Sequence, residues 1–262
     1  MTEADWLACT EPYLMLDFLG GKAGQRKWRL FAAACCRRLW GLLADERRRR
    51  AVEDAERLAD GMAGRDSAAA ADADPMRSFS DWTLKRTMTA VRAIEAYKGE
   101  WRRTDYPAAA AEKAASVAAF AVDSLAGWRA MPMHWGRDLE PQEDVAEAAV
   151  VAVDVAEGFP ATLREQQAQC ELLRCLAGNP WRPVPPPAPR VFSWNDGCVA
   201  RLARAAYDDR LPEGRLDPAR LAVLADALEE AGCTDADILG HCRSGGEHVR
   251  GCWVVDLLLG KG

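Results

Sequence analysis

DPARLAVLADALEEAGCTDADILG, residues 217–240, spells out a helix, its stop and the next helix in one run. Leu221, Leu224, Ala225 and Leu228 fall three and four apart, which sets them on one face of an α-helix. Asp217 followed by Pro218 supplies an N-cap and a first helical residue that needs no N–H donor. Gly232 closes the segment, and Thr234 with Asp237 predicts a capping box for the helix that follows. Nothing in the run alternates apolar and polar residues in the way a half-buried strand requires.

The same grammar extends in both directions. Val199, Leu202, Ala203 and Ala206 form the stripe of a preceding helix, and CWVVDLLL (252–259) predicts a last one stopped by Gly260. At the other end, Thr2 and Asp5 predict a capping box ahead of Trp6 and Leu7. Thr10 predicts the cap of a second helix, with Pro12 in its first turn and Gly20-Gly21 as its stop. KWRLFAAACCRRLWGLL (27–43) carries bulky apolar residues on several faces and reads as a mostly buried helix; Asp45 restarts the chain toward Asp60. Residues 62–79, rich in Ala, Asp and Ser, predict a mobile connector, with helices at about 80–97, 107–129, 142–157 and 161–176. VFSW (191–194) is the single short candidate for a strand.

GNPWRPVPPPAPR (178–190) divides this pattern. Its prolines hold the chain extended and favour a stiff spacer lying across a helical body over a ligand for an SH3-like partner. The expected fold is therefore all-α: a multi-helix array over residues 1–177, a proline-rich crossing at 178–192, and a C-terminal helical unit at 193–262 docked on the array.

Composition bounds the partners. Of 262 residues, 49% are hydrophobic and 28% charged, as in ordinary globular proteins, and no apolar run nears the ~20 residues of a membrane span. The opening MTEADW is acidic and lacks the layout of a signal peptide, which predicts a cytoplasmic chain. Nine cysteines in that compartment read as reduced thiols. A formal charge of −6 gives no general attraction to nucleic acid. The basic strip Arg47–Arg50 is flanked by acids and reads as a solvated helix face.

Chemistry concentrates in HCRSGGEHVRGCW (241–253). Cys242, His248 and Cys252 are zinc-ligand types, and the last two, four apart, share a face if helical. Cys233 is excluded from the same ion, because the intervening helix would set it about 13 Å from Cys242. His241 is then a spare ligand, and a fourth would come from a distant cysteine such as Cys35, Cys36, Cys170 or Cys175. A second reading uses Arg243, Gly245, Gly246 and Arg250 as an anion site, although Glu247 stands where the anion would sit. A third makes the stretch a plain helix corner with its cysteines buried as small hydrophobes. In MPMHWG (131–136), His134 and Trp135 with the nearby Trp128 could line an apolar pocket or a haem edge, or plug the end of a bundle. No Gly-x-Ser-x-Gly, His-Glu-x-x-His or Gly-x-Gly-x-x-Gly occurs.

Three long blocks carry a resemblance. The first runs from MTEADWLACTEPYLMLDFLGG through KWRLFAAACCRRLW and DERRRRAVEDAERLADG, the second is LLRCLAGNPWRPV, and the third is LADALEEAGCTDADILGHCRSGGEHVRGCWVVDLLLGK. Together they resemble a paralogous family of uncharacterised planctomycete bacterial proteins, over the N-terminal ~60 and C-terminal ~90 residues. The resemblance implies no activity, cofactor or catalytic residue. The expected function is thus a non-catalytic helical interaction or scaffold protein with a protein partner, no expected cofactor, and no membrane or nucleic-acid target. The alternative is a metal- or small-ligand-binding protein, zinc foremost, centred on Cys242, His248 and Cys252.

Overall fold

The computed structural model describes residues 1–43, 46–62 and 159–261. Among the described residues the chain is helical and has no strand. The helices are α1 (Glu3–Ala8), α2 (Pro12–Leu19), α3 (Gln25–Arg38), α4 (Glu46–Ala59), α5 (Phe159–Ala177), α6 (Pro189–Ser193), α7 (Cys198–Asp208), α8 (Pro218–Glu230), α9 (Ala236–Arg243) and α10 (Trp253–Leu259), with 3-10 turns at Trp40–Leu42 and Trp194–Gly197. None of them is long and apolar enough to cross a membrane. The connector at 62–79 beyond Met62, the helices expected between 80 and 157, and Trp128, His134 and Trp135 lie outside the described residues.

Helix ends follow local hydrogen-bond chemistry. Thr2 and Asp5 form the reciprocal capping box of α1, and the Asp217 carboxylate accepts from the Ala219 N–H at 2.9 Å. Two caps sit one residue later than the sequence suggests. Glu11, not Thr10, precedes α2 and makes no side-chain cap bond, and Pro12 at the first helical position leaves one fewer N–H without a partner. Asp235, not Thr234, caps α9, its Oδ1 accepting from the Asp237 and Ile238 N–H groups at 3.0 Å each. The VFSW segment is not a strand: Val191 to Ser193 finish α6, and Trp194 begins a 3-10 turn.

The chain divides into two compact units, one of residues 1–27 with 167–262, the other of residues 28–166. This differs from a division at the proline segment, and the reason lies in contacts made by the first 27 residues. Trp6 is fully buried, and Phe18 stacks on Trp181 with centroids 4.7 Å apart. Arg26 and Lys27 reach Asp256 of α10. The N-terminal segment therefore belongs to the core of the C-terminal unit. Within that unit α8 packs on α7 and α9, and α7 packs on α10. The proline segment lies along it with a three-residue rhythm: Trp181, Val184 and Pro187 are half-buried, while Pro183, Pro185, Pro186 and Ala188 are exposed. That is the period of an extended polyproline helix with one edge docked.

In the other unit, α3 buries Phe31, Ala32, Cys35 and Cys36, and α4 buries Val52 and Ala55. Arg37 and Glu56 form a buried two-pronged ion pair at 3.0 and 2.9 Å. Arg38 holds the buried Glu165 at 2.8 Å. The Arg47–Arg50 strip is not wholly solvated: Arg50 pairs with Glu46 in water, but Arg49 is half-buried over the Trp40 ring.

One glycine is decisive. Gly178 ends α5 with φ of +68°, and a Cβ there would lie 3.2 Å from the Trp253 indole. Gly178→Ala should cost about 1–2 kcal/mol of unfolding free energy, from the left-handed conformation alone. Urea titration followed by circular dichroism checks this, and an unchanged midpoint would refute it.

Candidate metal centre

Three segments converge beside Gly178. The last turns of α5 carry Cys175, whose side chain is 2% exposed. The last turn of α9 carries His241, which is half-buried. The loop beyond it holds His248, 2% exposed, whose carbonyl accepts from the Leu216 N–H at 2.8 Å. The loop ends at Cys252, fully buried, the residue that precedes α10.

The sulfur and nitrogen donor atoms of Cys175, His241, His248 and Cys252 all lie within 4.8 Å of one another. His241 Nε2 is 3.2 Å from Cys252 Sγ, and Cys175 Sγ is 3.9 Å from His248 Nδ1. The two imidazoles meet edge to face, 4.7 Å between centroids. Zinc–sulfur and zinc–nitrogen bonds of about 2.3 and 2.0 Å put tetrahedral donors roughly 3.3–3.8 Å apart, so a slight contraction suffices. A two-iron cluster would instead separate the thiolate pair from the imidazole pair by a further iron–iron distance, which this compact set does not provide.

The outer contacts orient the rings. His248 Nε2 lies 3.0 Å from Ser244 Oγ and 3.3 Å from the Ser244 carbonyl. A carbonyl only accepts, so Nε2 carries the proton and Nδ1 turns its lone pair toward Cys175. Trp253 packs against His241, 5.2 Å between centroids.

The protons in this cluster are unevenly held. Burial would raise the Cys252 thiol, but its hydrogen bond from Cys175 and the nearby His241 and His248 outweigh that and hold it well below the usual thiol range. Cys175 is pushed well above that range by its hydrogen bond to Cys252 and by burial. For His248 burial lowers the imidazole, and the Cys252 sulfur more than reverses it. Cys252 is thus the sulfur of the cluster that gives up its proton most readily, and a divalent cation favours that same deprotonated form.

The structure brings His248 and Cys252 together and adds two donors. Cys242 is not one of the four. It is buried separately, 2% exposed, and burial with the neighbouring Cys252 and Cys233 pushes its thiol up to about 12. Its place is taken by Cys175, and His241 moves from spare ligand to donor. The anion set does not converge. Arg243 reaches out to Asp226 at 2.8 Å and Glu229 at 2.5 Å of α8, Gly245 and Gly246 are exposed, and Arg250 stacks on Tyr207 of α7. The sequence signal for Cys175 was its place two residues before the α5 stop in LLRCLAG, which does not by itself point at the distant corner.

No protein-family model, curated protein or solved structure matches the chain. The chemistry of the corner therefore rests on its own geometry.

These directions set a spectroscopic expectation. In metal-free, reduced protein titrated upward in pH, the first thiolate absorbance near 240 nm should come from Cys252, whose thiol ionises below its ordinary range. Cys252→Ala should remove it, and Cys242→Ala should leave it, since that thiol stays protonated until about 12. Equal loss in both variants would contradict the assignment.

Proposed function

We propose that the chain is a non-catalytic helical module built around one zinc-class ion held by Cys175, His241, His248 and Cys252. The observation that carries this reading is the mutual approach of four soft and borderline donors, within 4.8 Å, from three separate segments. Two thiolates and two imidazoles are the donor set of structural zinc, and hard cations such as magnesium and calcium take oxygen instead. Four protein donors complete a tetrahedron and leave no position for a substrate or an activated water. The ion's work is then to join the end of α5 to the loop and helix that follow α9, as a staple does. The module's wider role is interaction with a protein partner through the helical surfaces it holds in place. All nine cysteines are free thiols, which suits a reducing cytoplasm.

Elemental analysis of freshly purified, untagged, reduced protein tests the reading. About one equivalent of zinc is expected, and cobalt(II) in its place should give the strong visible bands of a tetrahedral site. Cys175→Ser should lose the ion, whereas Cys242→Ser should keep it. A protein that takes up no zinc on reconstitution, or one that loses it with Cys242 and not with Cys175, would overturn the proposal.

A further inference from the structure

Each thiol donor has a sequence neighbour bonded to the N-terminal segment. Next to Cys175 in sequence, Arg174 donates to the Trp6 carbonyl at 3.1 and 3.0 Å and to the Cys9 carbonyl at 2.5 Å. Next to Cys252 stands Gly251, whose carbonyl accepts from Lys27 Nζ at 2.6 Å. The same ammonium donates to Asp256 Oδ2 at 2.6 Å. Arg26 closes the arrangement with a fork onto Asp256, Nη1 to Oδ2 at 2.6 Å and Nη2 to Oδ1 at 3.0 Å. Asp256 is 2% exposed, and its backbone N–H bonds to the Cys252 carbonyl at 2.8 Å in the first turn of α10.

These contacts form a short mechanical chain. Cys252 is the N-cap of α10, and the Asp256 N–H bonds to its carbonyl one turn further on, so a shift at one is passed to the other. An ion that fixes Cys252 also fixes Asp256, and Asp256 fixes the start of α3. We infer that Lys27 and Asp256 are positioning residues of the metal centre, and that through them metal occupancy and the docking of residues 1–27 are thermodynamically coupled. The inference rests on the metal reading above. Coupling of this kind is reciprocal: the ion tightens the N-terminal segment by the same factor as the docked segment tightens the ion. Removing the ion then loosens α1 and α2, whose buried Trp6, Met15, Leu16 and Leu19 are the apolar surface that undocking would present.

The test uses the full chain, reconstituted with zinc, and two variants that leave all four donors intact. Lys27→Met removes the contact to the Gly251 carbonyl while Arg26 still satisfies Asp256. Asp256→Asn removes the charge that both cations hold. Zinc affinity is read by competition with a chromophoric chelator, and amide hydrogen exchange by mass spectrometry over residues 3–19, with and without zinc. Each variant should bind zinc about five- to tenfold more weakly, with the tetrahedral cobalt(II) spectrum unchanged. In the wild type, zinc should slow exchange over residues 3–19. Arg243→Ala, which breaks exposed ion pairs with Asp226 and Glu229, should leave both readouts unchanged. If both variants match the wild-type affinity within about twofold, or exchange over 3–19 ignores zinc, the coupling is overturned while the metal reading stands. If the wild type takes no zinc, the metal reading fails and the coupling with it. Circular dichroism of each variant separates a folded protein of weakened affinity from one that no longer folds.

Discussion

Two cysteines and two histidines can be buried side by side only if their lone pairs and protons are satisfied. Burying polar groups without partners costs on the order of 1–3 kcal/mol each, and a helix corner filled with leucine would avoid the cost altogether. Here the cluster is buried at the meeting of α5, α9 and α10, and each member has a partner within the set. His248 is further fixed by Ser244 on its outer nitrogen. Much of the surrounding structure serves this corner. Gly178 stops α5 just beyond Cys175 and brings Trp253 against the turn, and Lys27 ties down the carbonyl just before Cys252.

The unit that holds this corner is discontinuous in sequence. The first 27 residues and those from 167 onward form one unit, and the division falls within α3 and within α5. Closing a unit from two distant pieces of chain carries an entropic cost that grows slowly with the length of the excursion. The N-terminal segment offsets it with buried aromatic surface, Trp6 and Phe18 against Trp181. Its Trp6 and Cys9 carbonyls accept from Arg174, and its Lys27 donates to the buried Asp256. The same logic places the proline segment. Its fixed φ angles make it costless to hold extended, so one edge can lie along the unit while the other two face water.

Among the described residues the helices were largely legible because helix stripes and caps are local. Leu221, Leu224 and Leu228 announce α8, and all three are fully buried. The shifts of one residue at Glu11 and Asp235 arise where two oxygen-bearing side chains stand in succession and only three-dimensional placement chooses between them. VFSW misleads because its apolar residues are drawn into a helix that starts at Pro189, a long-lived preference of proline for the first turn. Contacts such as those of Arg26 and Lys27 with an acid more than two hundred positions away leave no local signal in the sequence.

Of the three ligands expected from spacing, His248 and Cys252 stand in the donor set, and Cys242 stays out of it for a geometric reason. His241 and Cys242 are adjacent on α9, so their side chains diverge by about 100° around the helix axis and only one can face a given point. Spacing within 241–253 favours Cys242 on ligand type alone, because two cysteines and a histidine look like a better start than two histidines and a cysteine. The fold turns His241 inward and gives Cys242 to the packing around α9, where it behaves as a small hydrophobe. The vacancy that this leaves in the donor set can be filled only from another element. Cys175 is in reach because Gly178 ends α5 there, under the Trp253 ring. Three of the four donors are nearly inaccessible, and His241, the half-buried fourth, is covered by Trp253. A donor set closed in this way suits the structural ion proposed above, which needs four protein ligands and no open position.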